Sequence, residues 1–363
     1  MSVVAFYAPM KPPDDPVPSG DRTMARALVA ALDTAGLGEV RLVSTLRSRD
    51  GAGEASAQDR IFEAAEIEIE RLSSGPRPDL WVTYHSYYKA PDLLGPRLAR
   101  LWGIPYAIVE GTRASSRLRG PYARFAKAAE EACDSADVIF YLTEYDREAL
   151  ERDRVRDQRL ARLRPFLAAE TLPALPERAH SDTIRLLACA MFRAGDKLAS
   201  YRALAEALAH VGSPDWSLRI VGDGPARAEV EALFERFAGK VRFLGALDQD
   251  GVAAEFRGGD LLVWPGVGEA FGMVYIEAQA QGCPVLAEDR QGVRDVVGDG
   301  GWLVPPGDRL AYASAIDALA ADPDRRAATG IAGRRRIAAN HLLPAARATL
   351  RGALAPLIGG RPS

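Results

Sequence analysis

Two carboxylates stand eight positions apart in GEAFGMVYIEAQAQGCPV, residues 268–285: Glu269 and Glu277, on either side of a Phe-Gly step. The preceding PGVG makes the Glu269 loop rich in glycine, so its backbone can approach a ligand closely. The run from about 272 to 281 predicts a helix stopped by Gly282 in a left-handed cap. The free N–H groups and the dipole at the start of such a helix suit a phosphate. Glu277 would then lie roughly 7–8 Å along the axis, at ~1.5 Å per residue. That separation fits a ligand with its anion at the helix tip and hydroxyl-bearing rings on either side, because carboxylates accept strong hydrogen bonds from vicinal hydroxyls. The residue types also allow a plainer assignment, in which Glu269 caps the helix and Glu277 faces solvent.

The elements that must position these residues alternate along the chain. Short apolar β-rich runs (VVAFYA, EVRLVS, DLWVTY, PYAIV, DVIFYL) are separated by helical stretches, the latter near 57–74, 120–133 and 144–151 among others. Alternation of this kind requires crossover connections and parallel strands with helices on both faces. The pattern breaks in the proline-containing stretch 164–183 and restarts with six strand candidates: IRLLACA, SLRIVG, KVRFLG, DLLVWP, CPVLA and GWLV. The fold class is therefore α/β, two Rossmann-like doubly wound parallel-sheet lobes: an amino lobe over 1–165, a linker over 166–183 and a carboxyl lobe over 184–340. A final helix over 341–363 is able to pack back on the amino lobe. A length of 363 residues suits two domains. Ligands of such sheets bind beyond the carboxyl ends of the strands, which directs attention to the loops there.

Composition narrows the functions. A formal charge of −3 with scattered basic residues argues against nucleic acid. The amino end carries no basic leader, and no apolar run approaches the ~20 residues of a membrane span. Cys133, Cys189 and Cys283 are far apart and odd in number, as expected of reduced thiols in a cytoplasmic protein. Peripheral attachment at the inner face of a membrane stays compatible with this sequence.

With these elements in place, EAFGMVYIEA resembles the E-x7-E signature of the retaining, nucleotide-sugar-dependent glycosyltransferases of family four, which have the GT-B fold of two lobes across a cleft. IVGDGP (220–225), VRFLG (241–245), QGCPVLA (281–287), GWLVPPGD (301–308) and SADVIFYLTEYD (135–146) concur. The resemblance implies that Glu269 contacts donor-sugar hydroxyls, that the backbone of Ala270, Phe271, Gly272 and Met273 lies near sugar and diphosphate, and that Glu277 holds the ribose. It further implies transfer of a hexose from a UDP-sugar or GDP-sugar to an acceptor hydroxyl. The base would be met by the loops near Gly222, Gly224 and Leu244.

Loss of a diphosphate needs stabilised negative charge. MFRAGDKLASYRALAEAL places Arg193 and Lys197 between a strand and a helix, and the resemblance makes them the diphosphate cations, although three residues separate them where the family has four. Lys197 is the firmer of the two, and Arg193 can equally be a surface residue. In the amino lobe Ser19 and Gly20 begin a helix whose N–H groups can meet the same phosphates, or Ser19 simply caps it. TYHSYYKAPD (83–92) gathers Tyr84, His85, Tyr87, Tyr88 and Lys89, a composition suited to a carbohydrate acceptor, or to packing between strand and helix. His85 is a candidate catalytic residue, and its replacement by Ala is expected to lower turnover without lowering the melting temperature. VEGTRASSRLRGPY (109–122) adds Glu110, Arg113 and Arg117 as acceptor candidates or solvated residues.

No cofactor and no metal are expected. The triplet Asp248-Gln249-Asp250 is better explained as the start of a helix, and His85, His180, His210 and His341 are dispersed. The partners expected are a nucleotide sugar and a glycan, lipid-linked or small-molecule acceptor, with the chain a monomer or weak homodimer. Two other classes were weighed: a non-catalytic nucleotide- or glycan-binding protein of the same fold, and an NAD-dependent oxidoreductase. The first strand of the chain lacks the G-x-G-x-x-G turn that the second would need.

Overall fold

The computed structural model describes residues 2–17, 19–155, 157–175 and 183–359. Two compact units divide the chain: Met1–Glu170 with Leu342–Ser363, and Thr171–His341. His180 and Pro18 lie outside the described residues.

The first unit runs β1 (Val3–Tyr7), α1 (Gly20–Asp33), β2 (Glu39–Ser44), α2 (Ala55–Ser73), β3 (Leu80–Ser86), α3 (Gly95–Trp102), β4 (Tyr106–Gly111), α4 (Ala123–Ser135), β5 (Val138–Tyr141), α5 (Glu144–Arg152) and β6 (Arg159–Arg162). Its parallel sheet has the order β2-β1-β3-β4-β5-β6. The inner strands are largely apolar, with Thr83, His85 and Ser86 in β3 and Glu110 in β4 as exceptions, and β4 is buried throughout because helices cover both faces. β6 was not among the predicted strands. Its sequence RLAR is no apolar run, and it pairs at the sheet edge where half of its surface meets water.

The second unit runs β7 (Ile184–Cys189), α6 (Asp196–Leu208), β8 (Trp216–Val221), α7 (Arg227–Phe234), β9 (Val241–Gly245), α8 (Gln249–Gly258), β10 (Leu261–Val263), α9 (Met273–Ala280), β11 (Val285–Glu288), α10 (Gln291–Val297), β12 (Gly301–Val304), α11 (Arg309–Ala320) and α12 (Pro323–Asn340). These are the six strands expected, in the order β12-β11-β10-β7-β8-β9. The two sheets therefore differ in winding. Strand order reverses between β1 and β3 in the first and between β7 and β10 in the second, and these switch points are where doubly wound sheets open a crevice.

The carboxyl end holds two helices. α12 stops at Asn340, and α13 (Leu343–Gly359) follows after His341 and Leu342. α13 belongs to the first unit: Arg159 donates to the Gly352 carbonyl at 3.2 Å, Arg347 pairs with Glu170 at 2.9 Å, and Leu342 bridges to Leu167.

Candidate functional site

In the second unit the loops after β7 and β10, the two strands at the switch point, bring the predicted residues together. Lys197 lies in the first turn of α6, and its ammonium hydrogen-bonds the Glu269 carboxylate while standing 5.7 Å from the Trp264 ring centre. Trp264 Nε1 donates to the same Glu269 oxygen at 3.0 Å. The Glu269 loop is held from below: Val267 N–H donates to Ser200 Oγ at 2.9 Å, and the Tyr275 hydroxyl donates to the Trp264 carbonyl at 3.0 Å. Glu269 is thus fixed by side chains from two other elements and does not cap α9. The cap is Gly272, at φ 78°, which offers no side chain to the first N–H groups of the helix.

Glu277 follows a turn later on α9, half-buried, and among the described residues none donates a hydrogen bond to it or forms an ion pair with it. Removal from bulk water pushes its carboxyl up to about 7. The neighbouring Cys189 thiol, at the end of β7, is pushed up to about 12 by burial, with Glu277 adding and Lys197 opposing. Glu277 is therefore not the solvated face residue that helix propensity alone allowed.

The remaining donor-side candidates frame this group. Gly222 and Gly224 follow β8, and a Cβ at either would stand 2.0 Å from the Ala190 carbonyl oxygen or 2.3 Å from that of Phe192. Packing of one loop on another thus demands glycine at both positions. Leu244 is half-buried near the end of β9. Ala270 is exposed, Phe271 and Met273 are buried, and the Ala270 carbonyl lies on Gly292, where a Cβ would overlap it at 1.4 Å. Arg193 is exposed, and no carboxylate pairs with it among the described residues. Asp248 caps α8 by accepting from Gly251 N–H at 2.8 Å, so that acidic triplet is a helix start.

The first unit has its own polar group at its own switch point. Tyr84 pairs in register with Val109 and Ser86 with Gly111, so His85 and Glu110 fall opposite each other, and both are left-handed at φ 61° and 62°. Such backbone costs about 1–3 kcal/mol at a non-glycine residue and concentrates at functional sites. His85 Nδ1 lies 3.1 Å from Asp21 Oδ1, on the first turn of α1, and 3.8 Å from Glu110 Oε2, which accepts no hydrogen bond. Burial alone would lower the imidazole, but Glu110 and the bond to Asp21 outweigh it and raise it to about 9. Glu110 is pushed up to about 7 by burial, against the pull of His85 and with Asp21 and Asp146 adding.

Around this group Tyr87 stacks on His85 with centroids 4.9 Å apart, and Lys89 reaches the rings of Tyr88 and Tyr122. Gly20 opens α1, capped by Ser19 accepting from Arg22 N–H at 3.2 Å, and open space surrounds its missing side chain. Arg113 is not brought to this group. Its guanidinium, 3 % exposed, pairs at 2.7 Å with both Glu130 and Asp134. That ion pair is structural and replaces the acceptor contact expected of it.

Comparison with known proteins bears on these two groups. Residues 185–322 match the family described as Glycosyl transferases group 1. The chain carries a group 1 glycosyltransferase domain. Its sequence is 32 % identical over 299 residues to D-inositol 3-phosphate glycosyltransferase of Streptomyces scabiei, covering 71 % of this chain and 64 % of that protein. It is 43 % identical over 111 residues to phosphatidyl-myo-inositol mannosyltransferase of Mycobacterium leprae, 29 % of each chain. The chain thus spans less than two thirds of the length of these curated relatives. The fold of the whole chain is GT-B, shared with sucrose-phosphate synthase of Thermosynechococcus elongatus (TM-score 0.76, 20 % identity, 99 % of this chain and all of that one). It is shared also with Anabaena HepE solved with UDP-glucose (TM-score 0.72, 15 % identity, 98 % of this chain and all of that one).

The glycosyltransferase domain holds Lys197, Glu269 and Glu277, the three residues whose types and spacing carried the sequence argument. Sequence reasoning missed Trp264 and Cys189, which read as strand residues. It also missed Asp21 and Asp146 of the first unit, which read as acids in helix first turns. Among the described residues no helix is long and apolar enough to cross a membrane.

Proposed function

We propose that this protein is a glycosyltransferase that moves a hexose from a nucleoside diphosphate sugar to an acceptor hydroxyl, with retention of configuration and without a metal ion. The observation that carries this reading is Glu277, a half-buried carboxylate with no partner among the described residues, one turn behind a helix start that no side chain caps. A buried carboxylate left unpaired is costly, and a pair of vicinal ribose hydroxyls would supply the missing hydrogen bonds. The α9 amino end offers N–H groups and a positive dipole to the diphosphate, and Lys197 adds a full charge as the sugar to oxygen bond breaks. Donor binding would draw Lys197 from Glu269, freeing that carboxylate for sugar hydroxyls. His85 is assigned to substrate hydroxyls, with Tyr87 and Lys89 on the acceptor, whereas Tyr84, expected there from sequence, is buried in β3 and hydrogen-bonds Glu110. UDP, GDP and the phosphate-bearing acceptors in the names of the relatives set the first substrates to try.

The test is turnover. Incubation with UDP-glucose or GDP-mannose and chelator should release nucleoside diphosphate, and NMR of the product should show the donor's anomeric configuration. Binding of the nucleotide without turnover on any acceptor would instead favour a non-catalytic binding protein, and strict dependence on manganese or magnesium would overturn metal independence.

A further inference from the structure

Three cations of the first unit gather around one set of tyrosine rings. Arg117 lies over the Tyr88 ring at 5.1 Å, and Lys89 lies 5.7 Å from the centres of both Tyr88 and Tyr122. Burial raises the Tyr87 and Tyr122 phenols, and the charge of Arg49 opposes that at both, with Arg117 helping at Tyr122. Among the described residues none of the three forms an ion pair with a carboxylate. Arg113, four positions before Arg117, forms two.

The acid within reach is sequestered. Asp50, buried beside these rings, accepts from the N–H groups of Ala52, Gly53 and Glu54 and from Gln58 Nε2 at 2.9–3.1 Å. Those bonds hold its carboxyl below the usual range and leave it no lone pair for a guanidinium. The same bonds make the platform rigid. Gln58 also donates to the Pro121 carbonyl, Tyr122 to that of Gly51, Asp50 N–H to that of Lys89, and Ser48 to that of Pro91. Three loops are thereby fixed to one another, with Lys89 and Arg117 over tyrosine rings and Arg49 hydrogen-bonded to the Tyr87 phenol. A guanidinium lying on a ring keeps its in-plane N–H groups free for a bidentate anion.

We propose that Arg49, Lys89 and Arg117, on the Tyr87, Tyr88 and Tyr122 platform, bind a phosphate ester group of the acceptor. Three cations around one set of rings match a group of charge about −1.5 to −2 better than a single carboxylate. The cluster is local, in a chain of net charge −3, and so fits one phosphate rather than a polyanion. Tyr87, stacked at 4.9 Å on His85 and 5.5 Å from Tyr88, joins the platform to the His85 group, which places the phosphate at one end of an aromatic run and the candidate hydroxyl-binding histidine at the other. Only the word acceptor rests on the transferase reading.

Calorimetry on the full chain tests this with glucose 6-phosphate, glucose and glucuronate, and separately with UDP. Glucose 6-phosphate should bind at least about tenfold more tightly than the other two sugars, the scale of one charged hydrogen-bond pair. The triple variant Arg49→Gln, Lys89→Gln, Arg117→Gln should lose that preference and keep its UDP affinity. Arg117→Gln alone, at an exposed position, should lose several-fold and serves if the triple variant does not fold. Cosedimentation with phosphatidylcholine vesicles, with and without phosphatidylinositol, separates the sources. Retention that needs the three cations assigns a lipid head group, and its absence beside glucose 6-phosphate binding assigns a soluble ester. No preference for either phosphate probe, a preference for glucuronate, or a preference untouched by the variants overturns the site. Failure of UDP to bind, with the phosphate arms as expected, removes the transferase reading and leaves the anion site standing.

Discussion

In the second unit Glu277 stands on a helix with no partner among the described residues, while in the first His85 is already surrounded by Asp21, Glu110 and Asp146. One group is incomplete and the other is satisfied from within. A carboxylate without a partner makes the empty protein bear a cost that a ligand can remove. An imidazole held charged by carboxylates is instead set in orientation and protonation before any ligand arrives. The difference teaches that the same fold element, the switch point of a doubly wound sheet, can be prepared for substrate either by leaving a group unpaired or by fixing it.

The largest expected effect follows from removing the one cation of the second group. Lys197→Ala should lower kcat by about 10²–10³, the scale seen when a single stabilising donor is lost. The melting temperature should fall as well, because Glu269, 12 % exposed, loses its ion-pair partner and keeps only the bond from Trp264, so turnover is compared per folded molecule. A variant with wild-type turnover would show that Lys197 only pairs with Glu269. Next is a contrast within the first unit. Arg113→Ala strips two carboxylates of a buried partner and should cost about 3 kcal/mol in denaturant unfolding, with catalysis per folded molecule unchanged. Selective loss of acceptor affinity with full stability would restore Arg113 to the acceptor group.

Smaller effects come from titration. The folded pKa of His85, about 9, exceeds its ordinary 6.5, so its contribution to stability is complete below pH 6.5 and is lost as pH rises through 9. Glu110→Gln removes the largest of the charges that raise it, and NMR of the ring should show its midpoint fall. An unmoved midpoint would mean that Asp21 and Asp146 set the histidine without Glu110. The same geometry revises an expectation drawn from sequence. His85→Ala would remove the imidazole that lies between Asp21 and Glu110, so it should lower the melting temperature at neutral pH as well as turnover.

What could be read from the sequence depended on how local each feature is. Glu269, Glu277 and the glycine between them lie within one loop and one helix, so their spacing survives in the chain. The His85 group is assembled from α1, the β3 and β4 ends and α5, up to 125 positions from Asp21 to Asp146, and no window of sequence contains it. Buried strands announced themselves as apolar runs. β6 did not, because an edge strand can carry arginine.

The claim on which the rest depends is that Glu277 is kept unpaired for the donor. Calorimetric titration of wild-type and Glu277→Gln protein with UDP and GDP, beside unfolding curves from pH 4 to 9, tests it directly. Because the folded carboxyl, at about 7, lies above its ordinary 4.5, its burden on stability grows as pH rises through that window. The variant should therefore be more stable than wild type at pH 8, with a flatter pH dependence, while binding nucleotide at least about tenfold more weakly. Equal nucleotide affinity in the two proteins would contradict the account.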